Sequence, residues 1–178
     1  MEDMFGAESK LSRHGALFVT TTAADEAGLS TLTSFVSTTP LLCIDVASSA
    51  TIKVLLTQLT INQVGSSAGG EVHVMVIGDV VQRNTAASGT ALTSYSPCMD
   101  ITNPTAVAAV YVSSVTIAAN SPRIIDHVVA TGLAGTPIPI VFTGDVIAGK
   151  DKSILVYVWA ATNGPQVIPI LRHVEVAR

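Results

Sequence analysis

Charge is scarce in this chain: Asp, Glu, Lys and Arg make up 12% of its 178 residues, about half the share usual in globular proteins. The nine Lys and Arg are scattered and outnumbered by thirteen Asp and Glu, leaving a formal net charge of -4. That excludes the clustered phosphate contacts of a nucleic-acid binder. Lys150 and Lys152 are the nearest thing to a basic cluster, and with Asp151 between them they form a polar turn. Aromatics stand at 4%, too few for the lined clefts of most sugar-cleaving enzymes. Two cysteines, Cys43 and Cys98, make no disulfide framework and are expected as buried thiols. Every apolar run falls well short of the ~20 residues of a membrane-spanning helix, so no membrane partner is expected. The opening MEDMFGAESK is acidic and lacks the basic start and apolar stretch of an export signal.

What is abundant is β-branched. Val, Thr and Ser supply about a third of the chain, and β-branched side chains suit a pleated surface better than a helix. Residues 1–12 mix charge and small side chains without strand periodicity and are expected to form an arm. Residues 13–178 are expected to form one domain. In TIKVLLTQLTINQV, Leu55, Thr57, Leu59 and Ile61 are expected on one face and Leu56, Gln58, Thr60 and Asn62 on the other. After the turn GSSAGG, EVHVMVIGD sets Val72, Val74 and Val76 against Glu71, His73 and Met75, so the two segments are expected to pair as a hairpin. Further strands are expected at GALFVTTT, PLLCIDV, AVYVSSVTI, RIIDHVVATG and IPIVFTG, with a closing hairpin in KSILVYVWAATNGPQVIPILRHVEV. Pro137 and Pro139 confine their strand to an edge or a strand start. The interval 82–108 carries no clear strand and is expected as a long loop.

Eight or nine strands, connections of very different length and no helical crossover imply an all-β, antiparallel β-sandwich of jelly-roll type. An immunoglobulin-like sandwich orders Cys, Trp, Cys, whereas here the one Trp follows both cysteines.

Catalytic groups are not found at useful spacings. Glu71 with His73, and His173 with Glu175, each share a strand face; together they supply only half of a cupin-like metal pattern, without the His-x-His pair. No zinc spacing is present, so no metal, cofactor or catalytic residue is assigned. Asp126 and His127 are adjacent and face opposite sides of a strand. No Ser sits in Gly-x-Ser-x-Gly, Cys98 has no neighbouring base, and GSSAGG lacks the Lys and following helix of a phosphate loop.

In SILVYVWAA, Leu155, Tyr157 and Trp159 share one face while Ile154, Val156, Val158 and Ala160 share the other. Both faces are apolar, so the strand must be covered twice. Either a loop or arm of the chain covers the Tyr157 face, or a neighbouring subunit does. The low charge favours the subunit, because obligate interfaces are depleted in charge.

TPLLCIDVASSATIKVLLTQLTI and KSILVYVWAATNGPQVIPILRHVEV, about a quarter of the chain, resemble strands of viral jelly-roll structural proteins. The resemblance is closest to the trimeric β-sandwich proteins that decorate or cement tailed-phage heads. It implies a non-enzymatic homotrimer on the capsid surface of a virion, with the major capsid protein as partner and the arm or a loop at one end touching the shell; the residues expected at an interface are Leu155, Tyr157, Trp159 and Tyr95. The alternatives are a receptor- or glycan-binding head using the 82–108 loop with Tyr95 as its anchor, and a small single-jelly-roll coat protein.

Overall fold

The structure is a computed structural model that describes residues 16–22, 28–65, 70–79, 88–97, 104–116, 123–143, 146–160 and 165–178. The arm expected at 1–12, and Cys98, lie outside the described residues.

Twelve strands are present among them: β1 (Leu17–Thr21), β2 (Leu42–Val46), β3 (Ile52–Val64), β4 (Glu71–Asp79), β5 (Ser88–Leu92), β6 (Ser94–Tyr95), β7 (Ala109–Thr116), β8 (Arg123–Thr131), β9 (Pro137–Val141), β10 (Ile147–Ala148), β11 (Lys152–Ala160) and β12 (Gln166–Ala177). All nine expected segments are strands. The count exceeds eight or nine because β10 is a two-residue continuation along the edge that β9 begins, and because β5 and β6 lie inside the interval read as a loop.

The strands form two antiparallel sheets of a β-sandwich. One, the β12 sheet, runs β10-β3-β12-β1-β6, with β9 sharing the β10 edge of β3; the other, the β11 sheet, runs β5-β7-β2-β11-β4-β8. Pro137 and Pro139 do sit on an edge, since among the described residues β9 pairs only with β3. Neither expected hairpin exists. β3 and β4 lie in different sheets, as do β11 and β12, so each short connection crosses the sandwich. The reason is burial: all four strands carry an apolar face, and crossing over lets those faces pack on one another across the core.

Val54, Leu56, Leu59, Ile61, Val167 and Leu171 of the β12 sheet meet Leu42, Ile44, Val72, Val74, Val76, Ile154, Val156 and Val158 of the β11 sheet in the main core. The faces expected for β3 hold only in its second half. Leu59 and Ile61 are buried, but toward the start Val54 and Leu56 face the core in place of Leu55 and Thr57. The register explains the switch: Arg172 faces Gln58 and His173 faces Leu56, leaving Thr57 as an extra residue in a β-bulge. A bulge shifts the alternation by one residue.

Buried Gln63 joins the sheets at one end. Its Nε2 donates to the carbonyls of Thr131 (3.1 Å) and Thr136 (3.0 Å), and its Oε1 accepts from the Leu133 N–H (3.0 Å). The connection from β8 to β9, which passes from one sheet to the other, is thereby held against β3.

Candidate functional site

The outward face of the β11 sheet carries a second apolar cluster of Cys43, Met75, Ile77, Leu155 and Tyr157, with Tyr111 and Trp159 packed against it. Its origin is the double-sided patterning of β2, β4 and β11. The cover comes from the chain itself. Leu32 bridges to Trp159 and its carbonyl accepts from the Ala160 N–H (2.9 Å), leading residues 32–39 over this face. The Phe35 ring lies 5.1 Å from the Tyr157 ring and 5.5 Å from that of Trp159. The Tyr157 hydroxyl donates to the Ser37 carbonyl at 2.7 Å.

Of the four residues expected at an interface, Leu155 and Tyr157 are therefore internal, Tyr157 being 2% exposed. The alternative of cover by the same chain is what the structure has, because the Thr-rich segment after Gly28 reaches the β11 end. Trp159 remains partly exposed. Tyr95 lies apart from this cluster, on β6 beside Val19 at the edge of the β12 sheet, and is 55% exposed. An apolar cavity of about 330 Å³ opens where residues 29–32 and 39–41 meet Val158.

Trp159 also supports two histidines. His73 on β4 lies opposite it in register, ring centroids 4.8 Å apart and planes only 3° apart. His127 on β8 is diagonal to His73, since Met75 faces His127 and Val129 faces His73. The His127 ring lies 5.5 Å from Trp159, and its Nε2 is 3.2 Å from His73 Nδ1. His73 Nε2 looks the other way, toward Glu71 Oε2 at 3.8 Å. The His73–His127 pair was not foreseen, because 54 residues separate its members.

His173, the other half of the cupin-like pattern, lies in the opposite sheet. It shares the inward phase of Val167 and Leu171, whereas His73 faces outward opposite Val72 and Val74, so the two cannot converge. The His173 ring is buried against Phe18 at 5.5 Å. Its Nε2 is 3.6 Å from Glu175 Oε1, beyond hydrogen-bond length.

Glu175 ties down the entry to β7: Oε1 accepts from the Val107 and Ala108 N–H groups at 2.9 and 2.8 Å, and Oε2 is 2.9 Å from the Val107 nitrogen. Burial alone would raise its pKa, but neighbouring His173 and the two backbone donors outweigh that and hold it below its ordinary value.

Among the described residues, no three His, Cys, Asp or Glu side chains gather in a metal-binding arrangement. No protein-family model, no curated protein and no solved structure matches the chain.

Proposed function

We propose that the chain is a jelly-roll structural subunit of a virus particle, non-enzymatic, decorating or cementing a phage capsid as a homo-oligomer. The oligomer is a trimer, seated on the major capsid protein at the outer surface.

The strand pairing supports the jelly roll. β1 pairs with β12, β2 with β11, β3 with β9 and β10, and β4 with β8. First thus meets last, and so on inward, as in a single antiparallel ribbon doubled back on itself. Rolling that ribbon brings β12 beside β3 and β11 beside β4, and both pairings are present. Jelly rolls serve as capsid proteins, lectins and cupins alike, so the fold alone does not select the function.

The observation that carries assembly is the apolar surface on β8, β9, β10 and their connections. Ile124 is 63% exposed and Val141 70%, and Val129, Leu133 and Ile147 are also exposed. β8 ends one sheet, and β9 and β10 flank the other. Arg123 and Asp126 on β8 and Pro137 and Pro139 on β9 limit edge-to-edge strand pairing, so the proposed contact runs through these five apolar side chains. With Leu155 and Tyr157 internal, the subunit contact is assigned to this edge, and exposed Tyr95 is open to other contacts. Each buried side chain contributes roughly 1.5–3 kcal/mol gross, part of which offsets the entropy of association. Attachment of several subunits to one lattice multiplies modest affinities.

Sedimentation of the untagged chain tests the assembly: a compact trimer is expected, and Ile124→Lys combined with Val129→Lys should dissociate it into folded monomers. The natural chain sedimenting as a monomer at tens of micromolar would overturn the proposal. Saturable binding to undecorated phage heads is expected. Glycan binding that depends on Tyr95, without head binding, would favour the receptor-binding head.

A further inference from the structure

We propose that His73 and His127 form a two-imidazole site for a divalent transition-metal cation of the Cu²⁺, Ni²⁺ or Zn²⁺ class. The site does not rest on the assembly reading, although His127 lies on β8 between the exposed Ile124 and Val129.

Three observations converge on it. The first is spacing. With metal–nitrogen bonds of about 2.0–2.1 Å, two cis ligands stand roughly 2.9 Å apart at a right angle and roughly 3.3 Å apart at the tetrahedral angle. The Nδ1 of His73 and Nε2 of His127 are 3.2 Å apart, so both atoms reach one ion after the exposed His127 ring turns to converge its lone pair.

The second is the group behind His73. Imidazoles that bind metals commonly direct their other N–H at a carboxylate, which fixes the tautomer and makes the ligand more basic. Glu71 Oε2 stands 3.8 Å from His73 Nε2, on the side away from His127 and beyond hydrogen-bond length, so its exposed side chain swings closer to accept that N–H. Loading the site then needs the turn of the His127 ring and one tautomer arrangement: the His73 proton on Nε2, on the side of Glu71, and the His127 proton on Nδ1, freeing both facing lone pairs. The third is rigidity. Trp159 lies parallel beneath His73, and the ladder between β4 and β8 fixes the two backbones.

Imidazole nitrogens select borderline cations such as Zn²⁺, Ni²⁺ and Cu²⁺ over Mg²⁺ or Ca²⁺. No third His, Cys, Asp or Glu joins the pair among the described residues, so the remaining coordination positions go to water or to ligands of another molecule.

The one tryptophan of the chain reports directly. Titrating the untagged full chain with Cu²⁺ or Ni²⁺ should quench Trp159 fluorescence saturably at one ion per chain, with Zn²⁺ competing and Mg²⁺ without effect. His127→Gln changes an exposed side chain, so the fold survives, and should weaken binding at least tenfold. His73→Gln should do the same, and Glu71→Gln should weaken it less. Calorimetric stoichiometry separates site binding from collisional quenching. Absence of saturable binding, or equal binding by a folded His127→Gln variant, would overturn the site.

Discussion

Replacing Gln63 with leucine measures what one buried amide contributes to joining two sheets. The side chain is 1% exposed and makes three hydrogen bonds, to the Thr131 and Thr136 carbonyls and the Leu133 N–H. Leucine nearly matches its volume, so the change opens little cavity and removes the polar contacts. At about 1 kcal/mol net for each bond, the expected loss is about 3 kcal/mol. Exposed Leu133 lets part of the strip turn to water, and the main-chain bond from Gly135 N to the Gln63 carbonyl (2.7 Å) survives; both draw the figure toward about 2 kcal/mol. For a chain of this length that lowers Tm by roughly 4–12 °C.

Urea unfolding followed by far-UV circular dichroism should show a lower midpoint at unchanged m-value. Gln63→Glu sharpens the test. It keeps an acceptor for Leu133 but sets a carboxylate against two carbonyl oxygens, so at neutral pH it should be less stable than the leucine variant. The repulsion favours the protonated acid and raises the folded pKa of that carboxyl. The deficit therefore grows as pH rises and shrinks as the group takes up a proton. A leucine variant within about 0.5 kcal/mol of the natural chain would refute the role assigned to the amide, since that is the range of inconsequential surface changes.

Tyr157→Phe removes the bond to the Ser37 carbonyl but keeps the ring packing, and should cost about 1 kcal/mol by chemical denaturation. Proteolysis within residues 32–39 should rise with it. Glu175 has a folded pKa below its ordinary 4.5, so its contribution is complete above that value and is lost as pH falls through the lowered one. Glu175→Gln should flatten the stability profile below about pH 4.5 and cost about 1–3 kcal/mol at pH 7; denaturant midpoints across pH check both. Gly28→Ala would set a Cβ 2.5 Å from that of Gln166 and 2.6 Å from Val64 Cγ2, and should cost about 1–3 kcal/mol, read as a fall in Tm.

Nine of the twelve described strands were legible because each carries its own local pattern of β-branched residues between turn residues, whereas β5, β6 and β10, two to five residues long, carry no such pattern. Pairing was not. Whether TIKVLLTQLTINQV turns back beside EVHVMVIGD or crosses to the opposite sheet depends on where both apolar faces can be buried together, a property of the assembled sandwich. The bulge at Thr57 was equally silent, since an alternating template continues straight through it and assigns Leu55 and Leu56 to the wrong sides. The double cover of β11 was readable from its two apolar faces. What supplied it was not, because Phe35 sits in a Thr-rich stretch without strand periodicity. His73, His127 and Trp159 come from three strands, and only the ladder brings them together.

The β12 strand lies between β1 and β3, and this gives the chain a schedule. In synthesis every other strand of its sheet precedes β12, and until β12 arrives β1 and β3 have nothing to hold them side by side. Contacts between segments so distant in sequence form slowly, and the waiting edges of β1 and β3 are open to pairing with another nascent copy. Chains truncated before Gln166 should therefore be insoluble.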